Sequence, residues 1–418
     1  MGETIDPERQ IKLKEIIGRL HEGSPVSEVK KEFAKLIRGV SAAEVAAMEQ
    51  SLIDGGMPVE EVQRLCEVHV QVFENSLAKG AKPSGMAGHP VHSMLEENKL
   101  AGKKAAALKA AARAWAWGMG SGEKARAALE DLSAVIIHYT RKENQLFPYL
   151  ERQGFTGPSR VMWGKHDEIR ALFKEAKEAL GGPARNFRNL ARSLASKVRR
   201  MIFMEEHILI PEATRRLSDR EWAEIRRGEE AIGFAWIAPA SLYDAGLVLA
   251  TAAPASPVPP AAQEATTVPA SPPMAKAPTA AAAELLDLST GRLSKEILDI
   301  ALRTLPADIS IIDEHDKVLY YSDSPHRLFP RSPAAIGRSV QNCHPQKSVD
   351  TVNRILEAFK HKEKDKARFW IEMGERFILI EYHALYGSDG LYKGTLEVSQ
   401  DLTELRALQG QRRLLDWE

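Results

Sequence analysis

Between Gly88 and Glu212 lie five histidines and several carboxylates, most of them of the types, and at the spacings, that hold transition metals. His89, His92 and Glu96 open this stretch in G-H-P-V-H-S-M-L-E, and His138 and Glu143 follow in H-Y-T-R-K-E-N-Q-L-F-P. His166 stands in W-G-K-H-D-E-I-R, and Glu205 and Glu206 stand in M-I-F-M-E-E-H-I-L-I-P. Imidazole with carboxylate is a donor set for iron, manganese or zinc, and four-helix bundles build two-metal sites from inward-facing Glu and His. At about 100° per residue, His89, His92 and Glu96 share one helical stripe, and such a polar stripe is costly to bury unless something is bound to it.

The elements that would position these residues are delimited by helix breakers at Gly118 to Gly122, Gly154 to Pro158 and Gly181 to Pro183. They leave four helical lengths able to pack side by side. The second and fourth repeat each other without gaps, each ending in a proline. In that register His138 pairs with Met201, Lys142 with Glu205, Glu143 with Glu206, and Asn144 with His207, which places His207 away from the core. Glu143 lies five residues from His138, about 140° around an ideal helix, so it reaches a shared metal only through a distortion such as a π-bulge.

These boxes, in this order over about residues 85–220, resemble the hemerythrin-like (HHE cation-binding) family. The resemblance implies an antiparallel four-helix bundle around non-haem iron, as a di-iron centre, with zinc or manganese as alternatives. It further implies dioxygen or nitric oxide binding, or a response to redox state. The implied ligands are His89, His92, Glu96, His138, Glu143, His166 and Glu206, with Glu205 the alternative to Glu206. Members of the family carry His-x-x-x-Glu in both the second and fourth helices. This chain has Lys142 in place of that Glu and Met201 in place of that His.

The other segments read as separate units. Residues 1–80 form a small helical domain with a capping box at Ser41 and Glu44. Cys66 and His69 share a face there and read as a buried thiol beside a hydrogen-bonded histidine. This segment is similar to a helical domain of unknown function found ahead of HHE–PAS pairs. Residues 221–250 extend the bundle. Residues 251–283 are dominated by Pro and Ala and form a linker. Residues 284–408 change class: an amphipathic helix, a hairpin around D-E-H-D-K, helical turns and three more strands predict an antiparallel five-stranded sheet with a helical face. That order, with I-G-R-S-V-Q-N-C-H-P and the closing G-T-L-E-V-S-Q-D-L-T-E, resembles a PAS domain. Cys343 and His344 read as structural rather than as haem ligands, and the PAS ligand is left open. Residues 409–418 form a C-terminal tail.

The expected fold class is therefore multidomain: an all-α helical domain and a four-helix bundle, then an α+β PAS domain. Lysine plus arginine equals aspartate plus glutamate at 57 each, so composition does not suggest a nucleic-acid partner. Two cysteines without a CxxC argue against a disulfide framework and a thiolate zinc site. The charged N-terminus has no apolar signal core, Asp6 breaks a myristoylation motif, and no apolar run is long enough to span a membrane. A cytoplasmic sensor or regulator is expected, which assembles as a homo-oligomer through PAS and signals to a protein partner. A di-iron enzyme of nitrosative or oxidative stress and a metal-stabilised scaffold are the alternatives.

Overall fold

The computed structural model describes residues 85–251, 285–324 and 327–410, with Lys12 besides. The expected N-terminal domain, with Cys66 and His69, and nearly all of the expected Pro/Ala linker lie outside the described residues.

The first bundle helix, α1 (Pro90–Ala116), starts where it does because His89 caps it. The His89 Nδ1 accepts from the Val91 amide at 3.2 Å, and Pro90 takes the first helical position, where its missing N–H costs nothing. The second helix is a composite of α2 (Gly122–Ser133), α3 (Val135–Arg141), a π-helical turn (Lys142–Leu146) and α4 (Phe147–Arg152). The third is α5 (Gly157–Ala179). The fourth joins α6 (Ala184–Met204), a second π turn (Glu205–Leu209) and α7 (Ile210–Arg216). Short turns connect them, so neighbours run antiparallel; α1 packs on both α2 and α6, and α6 also packs on α5. A further helix, α8 (Asp219–Glu229), opens with a complete Ser218–Glu221 capping box and packs on α1; α9 (Ala245–Thr251) follows.

The two π turns have one cause. Each precedes a proline, Pro148 or Pro211, that lies inside a continuing helix. An interior proline lacks a donor and its ring meets the carbonyl four residues back. Widening the turn relieves this, as the Phe147 amide bonds to the Lys142 carbonyl and the Ile210 amide to that of Glu205, five residues back in each case. The gapless repeat seen in the sequence is thus a repeat of one backbone irregularity. A distortion of the kind Glu143 needs to turn inward is present at Lys142–Leu146.

After a short hairpin, β1 (Leu285–Leu288) with β2 (Gly291–Ser294), which sequence reading did not anticipate, comes α10 (Lys295–Thr304). The strands β3 (Asp308–Asp313), β4 (Val318–Tyr321), β5 (Lys366–Met373), β6 (Arg376–Tyr386) and β7 (Tyr392–Asp401) form an antiparallel sheet ordered β4-β3-β7-β6-β5. Helix α11 (Gln346–Lys360) covers one face, burying Val352, Leu356 and Phe359. The expected five-stranded sheet with a helical face is what forms.

Phe187 is fully buried on α6, its ring 5.5 Å from that of Trp115 on α1. Phe187→Ala is expected to cost the bundle about 3–5 kcal/mol, read as a lowered midpoint of its thermal unfolding by circular dichroism.

Candidate functional site

The bundle interior is polar at one level, where the two π turns face each other. Glu97, His138, Arg141, Lys142, Glu143, His166 and Glu205 are all buried there. His138, from α3, has one carboxylate oxygen against each ring nitrogen: Glu97 Oε2 at 2.6 Å from Nδ1 and Glu205 Oε2 at 2.8 Å from Nε2. The second oxygen of Glu205 accepts from Lys142 Nζ. That ammonium also sits 4.7 Å from the centroid of the Tyr139 ring. The positions paired by the internal repeat, Lys142 and Glu205, therefore bind each other.

Glu97 is further held by both terminal nitrogens of Arg141 and by the Ala235 amide, 2.6 Å away. Arg141 reaches Glu229 on α8 at 3.0 Å and the Gly233 carbonyl at 3.0 Å, and lies over the Phe234 ring. On the other side, His166 donates from Nδ1 to Glu143 Oε1 at 2.7 Å. Arg170 completes that pair with a fork onto both Glu143 oxygens, at 2.9 and 2.7 Å. The His166 ring stacks on Tyr139 at 4.1 Å, while its Nε2 and the Tyr139 hydroxyl are buried without a hydrogen bond.

Burial acts on every one of these groups, and neighbours decide the outcome. Burial alone would raise Glu97, but His138 and Arg141 outweigh it and hold this carboxyl at about 2. Burial would likewise raise Glu205, yet Lys142 and then His138 keep it well below the usual carboxylate range. For Lys142 burial prevails over Glu205 and lowers the amine. Burial, then Lys142 and Arg170, press His166 well below its ordinary value, so the ring stays neutral. Glu229 goes the other way: burial prevails over Arg141 and Arg226 and raises it to about 7.

The predicted ligands do not converge. His89 spends its Nδ1 on the cap of α1, and its ring packs between Trp222 and Tyr243. His92 is half-buried on α1, and Glu96 pairs with exposed Lys99 at 3.5 Å. The stripe of α1 that enters the core runs one residue later, through Glu97, Ala101, Ala105, Leu108 and Ala112. Glu206 is half-buried, and of the Glu205/Glu206 pair it is Glu205 that enters the centre. His138, Glu143, His166 and Glu205 do enter it, but as two pairs held by basic side chains. Among the described residues no three His, Cys, Asp or Glu side chains gather as a metal would require. The ammonium of Lys142 holds a Glu205 oxygen that a bridging metal would need. The residues present do not fit a dinuclear centre.

Sequence reasoning missed Glu97, Tyr139, Arg141, Arg170 and Glu229. The phase of the small apolar residues on α1 selects Glu97 over Glu96, and that signal was available. Arg141 and Arg170 sit in boxes whose carboxylates and histidines drew the reading toward metal. Glu229 lies outside the boxes.

The PAS sheet and α11 enclose about 20 Å³, lined by Ser310, Val352, Leu356, Tyr382, Thr395 and Glu397, and a more open cleft of about 640 Å³ lies beside α10, lined by Arg303, Asp308, Leu328, Ser399 and Asp401. Cys343 is buried among Ile312, Val318, Val340, Val352 and Leu356, and His344 donates to the Val340 carbonyl at 2.8 Å, so both have structural roles. The two domains touch. Arg338 grips Glu151 of α4 with a fork at 2.6 and 2.9 Å, both side chains being buried. Arg152 donates to the Pro333 carbonyl, Arg160 to Asn342, and Ala334 joins the bundle's apolar core.

Family comparisons agree with this architecture. The hemerythrin HHE cation binding domain matches residues 89–213, a PAS domain matches 298–403, and a family of unknown function (DUF438) matches 13–79. The chain thus joins a hemerythrin HHE domain to a PAS domain, behind a segment of that third family. No curated protein matches it. Among solved structures, it is similar to the C-terminal domain of a Streptococcus mutans protein, at 30% identity over 30% of this chain and 98% of that one, TM-score 0.29. It is also similar to the PAS domain of a Colwellia psychrerythraea protein, at 18% identity over 26% and 97% of the two chains, TM-score 0.22. A sensory box sensor histidine kinase from Vibrio cholerae matches at 14% identity over 26% and 90%, TM-score 0.21. No described helix is long and apolar enough to cross a membrane.

Glu229 supplies a pH test. Its folded value of about 7 exceeds the ordinary 4.5, so the folded chain holds a proton there that the unfolded chain gives up. That contribution is full below pH 4.5 and is lost as the pH rises to 7. Glu229→Gln is expected to remove this part of the pH dependence, leaving urea midpoints flatter between pH 5 and 7.5 than those of the parent.

Proposed function

We propose that the protein is a sensor or regulator in which the bundle centre is the receiving element and the PAS domain is the relay. One observation carries this reading: the second bundle helix bears both the centre and the PAS contact. His138, Lys142 and Glu143 lie on α3 and its π turn, and Glu151 follows at the end of α4. Eight residues separate Glu143 from Glu151, about 12 Å along a helix. A π turn is one residue out of α register. Resetting it would turn everything beyond by about 100° and carry Glu151 off Arg338. A local change at the centre thus has a mechanical route to the second domain, through the π turn and the helix that follows it.

Dioxygen or nitric oxide on non-haem iron, the input suggested by family likeness, would need donors that the centre does not bring together. The relay runs through side chains and a helix of the chain itself, and among the described residues no observation favours the enzyme reading. One observation favours a second reading, a static scaffold: the centre is already neutralised by its own side chains. A protein partner forms part of the proposal. Exposed Trp370, Ile371 and Met373 on β5, with Leu319 on β4 and Ile297 and Ile300 on α10, support apolar contact surfaces on the PAS domain for a partner or a second copy.

Hydrogen exchange read by mass spectrometry separates relay from scaffold. Arg338→Met leaves Glu151 buried without its partner, at a cost to docking of about 3 kcal/mol, and should speed exchange across residues 333–344. His138→Gln loosens Glu97 and Glu205 inside the bundle and touches nothing in the PAS domain. A relay makes its exchange at 333–344 rise toward that of Arg338→Met. Unchanged exchange there, with increases confined to the bundle, leaves the scaffold.

A further inference from the structure

A bundle of the cation-binding family whose buried carboxylates are all engaged by basic side chains poses a question of charge. Glu97 is answered by Arg141, Glu143 by Arg170 and Glu205 by Lys142. We propose that the Lys142 ammonium is the resident cation of this bundle, standing where a bridging metal would stand, and that the bundle folds and docks on the PAS domain without metal.

The geometry is that of a substituted cation. Lys142 and Glu205 occupy equivalent places in the repeat, each the first residue of its π turn, and their side chains meet. Two carboxylates meeting there, away from water, would repel each other and need a metal to hold them. A lysine facing a glutamate supplies the positive charge covalently. Glu205 is bracketed by Lys142 on one oxygen and by His138 on the other, so both of its oxygens are already answered by this chain's own side chains. The Tyr139 ring face turned to the ammonium adds a cation–π contact. Around this pair His166 keeps its Nε2 without a hydrogen bond, while other predicted donors turn away. His89 caps a helix, Glu96 pairs outward with Lys99, and Met201, at the place of the family's histidine, packs in the apolar core.

The test uses the full chain, expressed with iron, manganese and zinc supplied and purified without oxygen. Elemental analysis is expected to find far less than one ion per chain. Thermal unfolding should show the same midpoint with EDTA and with added iron(II), manganese(II) or zinc(II), since an ion bound only to the folded state would raise it. One or more ions per chain, removable by EDTA with a fall in the midpoint, overturns the proposal. Lys142→Met removes the charge and leaves Glu205 unpaired, which should weaken the folding equilibrium by roughly a hundred-fold or more. Unchanged stability in that variant overturns the proposal as well. Lys142→Glu restores the second carboxylate and is expected to be stable only when one of the three ions is added. Stability equal to the parent's without metal again overturns it. These outcomes are independent of the exchange experiment, because a metal-free bundle relays or fails to relay by the same helix.

Discussion

An ionised carboxylate inside a protein needs a counter-charge, because removing it from water costs several kcal/mol that only a partner within contact distance returns. This bundle buries Glu97, Glu143 and Glu205. Where each partner stands then follows. Arg141 must come back over α1 to reach Glu97, which brings Glu229 of α8 and the Gly233 to Ala235 turn down onto the bundle. Arg170 must lie on the α5 face toward Glu143. The extension after the fourth helix is fastened to the core by this electrostatic requirement as much as by Trp222 and Ile225.

The counter-charges reach their places only because both composite helices are locally out of α register. In an ideal helix His138 and Glu143 diverge by about 140° and Lys142 shares the face of His138. The π turn keeps Lys142 on the centre and swings Glu143 in to meet His166 and Arg170. The prolines after each π turn make the irregularity part of the sequence rather than of packing alone. One backbone device thus sets the charge pairing inside the bundle and the direction in which α4 leaves it toward Arg338.

How much of this was legible beforehand varies with the kind of signal. Periodicity 2 in F-I-L-I-E-Y-H-A-L-Y and the G-S-D-G turn lead directly to β6, β7 and the antiparallel sheet. The helix breakers lead to four helices, and the angle between His138 and Glu143 to the need for one π turn, while the second, at Glu205–Leu209, was not read from the repeat. The site was less legible, for two physical reasons. Glu96 and Glu97 differ by about 100° of helix phase, and choosing Glu96 to suit a His-x-x-His stripe ignored the alanines that set the buried face. The side chains of Glu143 and His166 carry the same chemistry whether they face a metal or an arginine, and only the three-dimensional position of Arg170 distinguishes the two. The short β1–β2 hairpin was missed because its leucines are exposed and follow no burial pattern.

The PAS side leads to the same mechanical picture from the opposite direction. The larger cleft, about 640 Å³, lies open beside α10, and the space between this sheet and α11 is closed to about 20 Å³. Cys343 fills that core, and His344 is tied to the backbone. The buried charge this domain presents outward is Arg338, and it is spent on Glu151. A buried fork between arginine and carboxylate breaks at a cost of about 3–5 kcal/mol and tolerates little displacement, which suits it to the proposed relay. In the proposed relay the PAS domain would read the position of a helix end, and that position is set eight residues earlier by which charges share the bundle's interior.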